Sequence, residues 1–155
     1  MKLFIENSQE TKDLAHFFAD FLQPKDILLL FGDLGAGKTF FARSLIQFLM
    51  GTDIEVPSPT FTLVQQYDTP KGNLYHMDLY RLKTPEEIVE LGIEEAFATG
   101  VCLIEWPERL GPYKPKNCIE LHFDFGDNEN KRILNISFIG DLQRTTKRIF
   151  AEKYL

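Results

Sequence analysis

The chain has 155 residues, 44% of them hydrophobic and 26% charged, and its seventeen Lys and Arg against 23 Asp and Glu leave a formal charge of −6. That length is enough for a core of its own and points to one domain over residues 1–155, with no need of a disulfide or metal staple. The apolar content excludes wholesale disorder, and the acidic balance argues against a protein whose main work is wrapping nucleic acid, which needs clustered Lys and Arg.

The first ten residues carry acids and Asn without a long apolar stretch, so they do not read as a secretory signal. Nor does any apolar run approach the roughly 20 residues of a membrane span. A cytoplasmic chain with no membrane association is the expectation. Ser8 is placed to cap a helix whose Leu14, Phe17, Phe18, Phe21 and Leu22 recur at the 3–4 spacing of one buried face. After Pro24, Ile27 to Phe31 is a continuous apolar run of strand length, and continuity rather than alternation means burial on both faces of a sheet. A glycine-rich turn follows, then a helix carrying Phe41, Leu45, Phe48 and Leu49 and ending at Gly51.

Prolines at 57 and 59 keep the next segment out of helix. Phe61 to Tyr67 and Asn73 to Tyr80 read as strands around a turn at 70–72. Thr84-Pro85-Glu86-Glu87 has the pattern of a capping box opening a helix to about Phe97. Val101 to Trp106 is another buried strand. Glu120, His122 and Asp124 alternate with Leu121, Phe123 and Phe125, and Leu134, Ile136 and Phe138 repeat the pattern, which predicts a hairpin with one wet face. Residues 142–155 read as a closing helix. Cys102 and Cys118 lie inside apolar runs without metal-like spacing and read as buried reduced thiols.

Gly32-Asp33-Leu34-Gly35-Ala36-Gly37-Lys38-Thr39 fits G-x-x-x-x-G-K-[ST], and it leaves a buried strand to enter a helix, as that motif requires. Its glycines let backbone N–H groups turn inward around phosphate oxygens, at the positive end of a helix. Lys38 is then the β,γ-phosphate contact and Thr39 the Mg²⁺ ligand. A second acid at a strand end completes such a site, and Glu105 ends an apolar run at the sheet edge where α/β ligands bind. Asp78 is the other candidate acid. Guanine is disfavoured as the base, because the sole Asn-Lys pair, Asn130-Lys131, is followed by Arg132-Ile133 rather than by x-Asp. ATP is therefore the expected nucleotide.

Four ordered segments carry a resemblance over nearly the whole chain: residues 32–39, Ser-Pro-Thr-Phe-Thr-Leu-Val at 58–64, His-Met-Asp-Leu-Tyr-Arg at 76–81, and Ile-Glu-Trp-Pro-Glu at 104–108. Together they resemble the TsaE (YjeE) family, small bacterial ATPases used in making threonylcarbamoyladenosine in tRNA. The resemblance implies an α/β, P-loop NTPase-like three-layer domain with a mixed β-sheet and antiparallel hairpins. It also implies ATP hydrolysis on the TsaB–TsaD pair, resetting a complex that transfers threonylcarbamoyl to tRNA, the activated adenylate coming from a separate enzyme.

On this chain the resemblance puts nucleotide contacts at Gly35, Ala36, Gly37, Lys38, Thr39 and Phe40, and Mg²⁺ at Thr39 and Glu105. Lys38, Asp78 and Glu105 are the catalytic candidates. Thr60 has the place of a hydroxyl that senses the γ-phosphate, Thr11 a place on the base side, and Arg132 a basic position opening the last strand. Trp106 packs either beside the nucleotide, against a partner, or in the core, while His76 reads as structural. Phe40 departs from the family, which usually carries a second Thr or Ser there, and the expected consequence is altered affinity rather than lost chemistry.

Two other function classes stay open from the residues alone, a small-molecule kinase and a non-hydrolysing nucleotide-dependent scaffold. No arginine cluster precedes the C-terminal helix, as a kinase lid would need; no obvious finger arginine stands out, and Arg81 or a partner's arginine could serve. The charge is also uneven. Residues 131–155 hold six basic and two acidic side chains, a local +4 that is either a solvated face or a surface for a partner or RNA.

Overall fold

Why Ile27–Gly32 is apolar without interruption is visible in the computed structural model, which describes residues 1–51, 54–141 and 144–155. Ile27–Gly32 is β2, the centre of a seven-stranded sheet ordered β1-β7-β6-β2-β5-β4-β3. Its Leu28 and Leu30 face one core while Ile27 and Leu29 face another on the opposite side. Each of these side chains is almost fully buried, which contributes on the order of 2 kcal/mol apiece.

The four inner strands, β6 (Cys118–Phe125), β2, β5 (Val101–Glu105) and β4 (Gly72–Asp78), run parallel. Antiparallel partners flank them, β3 (Val64–Thr69) on β4 and β7 (Arg132–Ile139) on β6, with β1 (Lys2–Ile5) outermost on β7. Helices α1 (Ser8–Phe21), α2 (Lys38–Met50) and α5 (Arg144–Tyr154) supply the larger core, with Phe18, Phe41 and Phe150 fully buried in it. The shorter α3 (Glu87–Glu90), α4 (Ile93–Thr99) and the 3-10 turns of Pro107–Tyr113 cover the other face through Ile88, Ile93, Ala96 and Leu110. The architecture is the expected mixed α/β sheet between two helical layers.

Several boundaries differ from the sequence reading. β1 was not expected, because four residues give too short an alternation to register. Asn7, not Ser8, caps α1: its side chain accepts from the Glu10 N–H at 3.0 Å, and Ser8 is the first helical residue. The strand read from Phe61 starts only at Val64, since Leu63 donates its N–H to the Pro59 carbonyl and turns with φ 66°. Asn73–Tyr80 is β4 at Gly72–Asp78, and the strand ending at Trp106 stops at Glu105, Trp106 having φ 56°.

The single helix read from Thr84 to Phe97 is two, broken where Gly92 takes φ 82°. Thr84 contributes only its carbonyl, to the Glu87 N–H, and Glu87 reaches back to the Lys83 N–H instead. The wet hairpin face holds at Asp124, which is exposed, but not at Glu120, which is buried and held by Lys114 at 2.9 Å. Residues 142 and 143 of the closing helix lie outside the described residues. Both cysteines are buried and unpaired.

Candidate functional site

Parallel pairing brings the chemistry to one edge. Register sets Leu30 of β2 beside Glu105 of β5, and Glu105 beside Asp78 of β4, so three strands end together under the start of α2. The turn between β2 and α2 needs its glycines. A Cβ on Gly32 would sit 2.7 Å from the Phe123 carbonyl, and Gly37, which opens α2, has φ 117°. The first N–H groups of α2 have no partner within the helix, and they face the same edge with the positive end of its dipole.

Lys38 is buried, its ammonium donating to the Gly32 carbonyl and lying 3.7 Å from the centre of the Trp106 ring. Burial lowers its pKa from the ordinary lysine value, opposed by the carboxylates of Glu105, Glu108, Asp78 and Asp33. Thr39 donates its hydroxyl to Glu105 Oε1 at 2.7 Å. The other carboxylate oxygen, Oε2, lies 2.7 Å from His76 Nε2, with Glu105 2% and His76 0% exposed. Asp78, also buried, accepts from the Thr60 hydroxyl through Oδ2 at 3.1 Å and from the Tyr80 N–H through Oδ1 at 3.0 Å. Thr60 is in turn 2.7 Å from the Ser58 hydroxyl.

These groups surround two cavities on either side of the glycine turn. One, of about 300 Å³, is lined by Lys38, Thr39, Thr60, Asp78, Glu105 and Trp106 among others. The second, of about 260 Å³, is lined by Thr11, Ala36, Glu129, Asn130 and Arg132, and Gly35, Gly37 and Phe40 border both. Arg132 braces the turn from below, its guanidinium donating to the carbonyls of Ala36 at 3.0 Å and Gly35 at 3.3 Å. Arg81 stays outside, over the exposed ring of Phe61 at 4.3 Å.

The candidate nucleotide, metal and catalytic residues named from the sequence each line one of the two cavities, whereas Arg81 and His76 line neither. Trp106, partly buried, lines the first cavity under the Lys38 ammonium and against Tyr80, and also packs on the smaller core. His76 was read as structural and proves to touch Glu105 directly. Its signal was present: 76 and 78 share one strand face, and parallel pairing with β5 puts 103 and 105 on that same face. Ser58 and Asn130 were not singled out as site residues, because a hydroxyl in a Ser-Pro turn and an amide in a hairpin turn carry no pattern of their own.

The site joins a glycine turn at a helix start, a buried lysine and a hydroxyl–carboxylate contact. Thr39 and Glu105 are oxygen donors in contact, of the kind that holds Mg²⁺ together with phosphate oxygens and water, so the residues fit that ion. A sequence model of the family described as "Threonylcarbamoyl adenosine biosynthesis protein TsaE" matches residues 5–134.

The chain belongs to the TsaE family.

A protein of Rickettsia prowazekii named tRNA threonylcarbamoyladenosine biosynthesis protein TsaE is 49% identical over 132 residues, 85% of this chain and 91% of its own. The protein of that name from Bacillus subtilis is 41% identical over 127 residues, 81% and 78% of the two chains. Among solved structures, the crystal structure of YdiB from Bacillus subtilis superposes with a TM-score of 0.81 at 31% identity, covering 99% of this chain and 95% of that one. Membership of the TsaE family is what assigns the chain to threonylcarbamoyladenosine biosynthesis. Among the described residues no helix is long and apolar enough to cross a membrane.

Proposed function

We propose that this chain binds ATP with Mg²⁺ across the two cavities and hydrolyses it, as a switch on the TsaB–TsaD pair that forms threonylcarbamoyladenosine in tRNA. The observation that carries the proposal is the Thr39–Glu105 contact beside buried Lys38, at the mouth of a glycine turn that opens a helix. The phosphates lie over the start of α2, with Lys38 leaving its Gly32 carbonyl for the β- and γ-oxygens. The base side extends toward Thr11 and Arg132. Mg²⁺, when bound, neutralises the charge that spreads over the leaving phosphates.

Phosphoryl transfer to water asks for position and charge more than for covalent chemistry, so these few side chains suffice. Asp78 orients the attacking water, and its present hold on Thr60 is exchanged when the Thr60 hydroxyl turns to the γ-phosphate. Among the described residues no arginine lines the first cavity, which fits slow turnover until a partner completes the site. The tRNA is held by the complex, and the chain works in the cytoplasm.

The test is ATP turnover with and without purified TsaB–TsaD. Partners should stimulate the wild type, and Lys38→Ala should lose about 10²-fold or more of the stimulated rate, the scale of losing one charge-stabilising donor. Asp78→Asn should keep nucleotide binding and lose turnover. Equal rates with and without partners, or a fully active Lys38→Ala chain, would refute the proposal.

A further inference from the structure

His76 has no solvent contact, and its ring makes one polar contact among the described residues, to Glu105. Its Nδ1 is buried with no hydrogen-bond partner. Neighbouring positions on the same sheet face, Leu74 and Leu103, are filled by leucine. A polar ring buried among them with half its hydrogen-bonding capacity unused costs free energy that leucine or methionine would not. What the ring supplies in return is one N–H, directed at the carboxylate oxygen that Thr39 does not use.

We infer that His76 is a positioning residue: its Nε2–H holds Glu105 Oε2 and thereby keeps Oε1 turned toward Thr39, where the metal is to be held. A glutamate side chain has three rotatable bonds. With Oε2 tethered 2.7 Å from an immobile ring and Oε1 2.7 Å from Thr39, the carboxylate keeps one orientation in the two-residue cradle. Residues that hydrogen-bond a metal's ligands from behind commonly set metal affinity by about 10–100-fold. The inference rests on the Mg²⁺–ATP reading of the site, and it predicts an effect on the metal rather than on the nucleotide.

The experiment is calorimetric titration with the β,γ-imido analogue of ATP, in EDTA and in Mg²⁺, on wild type, His76→Met, His76→Gln and Lys38→Ala. Methionine keeps the volume without a donor, and glutamine returns an N–H at similar reach. His76→Met should bind the analogue in EDTA within about twofold of wild type and lose about 10–100-fold of the gain that Mg²⁺ brings, and His76→Gln should restore most of it. A methionine variant that keeps the full Mg²⁺ gain, or a glutamine variant that loses as much as methionine, overturns the inference. If wild-type affinity is indifferent to Mg²⁺, or Lys38→Ala binds normally, the nucleotide-site reading itself fails, which is a different result.

Should His76→Met not fold, nitrogen-15 spectra of the imidazoles in the wild-type chain decide. The His76 resonance, identified by its loss in His76→Gln, should show hydrogen on Nε2 and slow exchange, and should move when Mg²⁺ is added to the analogue-bound protein. An Nε2 without hydrogen, or a resonance that Mg²⁺ leaves unmoved, overturns the inference.

Discussion

Phe40 borders both cavities at the place where the family resemblance implies a hydroxyl residue. Phe40→Thr should add one hydrogen bond to a phosphate, worth about 1 kcal/mol, and tighten analogue binding about fivefold in the same calorimetric assay. The cysteines make a second residue-scale test. Burial raises the Cys102 thiol to about 12 and, with help from the Glu120 carboxylate, Cys118 to about 11, Lys114 acting in the opposite direction. The reactive thiolate is therefore scarce in the native chain, and a disulfide reagent at pH 8 should modify neither thiol until denaturant is added. In the unfolded chain both thiols ionise near the ordinary value of 9.0. Protons are then lost from the unfolded state first, so native stability should fall as pH rises from about 9 toward 12. Urea unfolding at pH 8 and pH 10.5 reads this, and Cys102→Ala should flatten the slope.

At the scale of elements, the start of α1 separates two adjacent candidates. Asn7 accepts from the Glu10 N–H and Ser8 does not cap, so Asn7→Ala should cost about 1 kcal/mol in urea unfolding and Ser8→Ala no more than about 0.5 kcal/mol. Asn and Ser are equally good caps, and only the register of the turn chooses between them. The helix pair α3 and α4 shows the same limit. A capping pattern predicts where a helix can start, but Gly92 adopting φ 82° decides that one helix becomes two. By contrast, β2, α2 and β5 were legible to within a residue, because long apolar runs and the glycine turn between them admit few other readings.

For the whole molecule, α5 is the piece that closes the larger core. Phe150 is fully buried, with its ring against Phe17, Phe18, Phe138 and Tyr154. Phe150→Ala should cost about 3–5 kcal/mol, seen as a lower urea midpoint with little change in slope. The basic C-terminal segment is also sorted by the fold. Lys131 pairs with Glu6 at 3.2 Å and Arg132 braces the glycine turn, leaving Lys147, Arg148 and Lys153 exposed on α5. By itself, the sequence determined the family, through four short segments in order, and it supplied the eight-residue glycine and lysine pattern on which the proposed nucleotide site rests. Only the tertiary structure decided that His76, Asp78 and Glu105 form one cluster. Their proximity depends on β4 and β5 lying parallel and in one register, and such pairing between strands separated by two helices leaves no local mark on either strand.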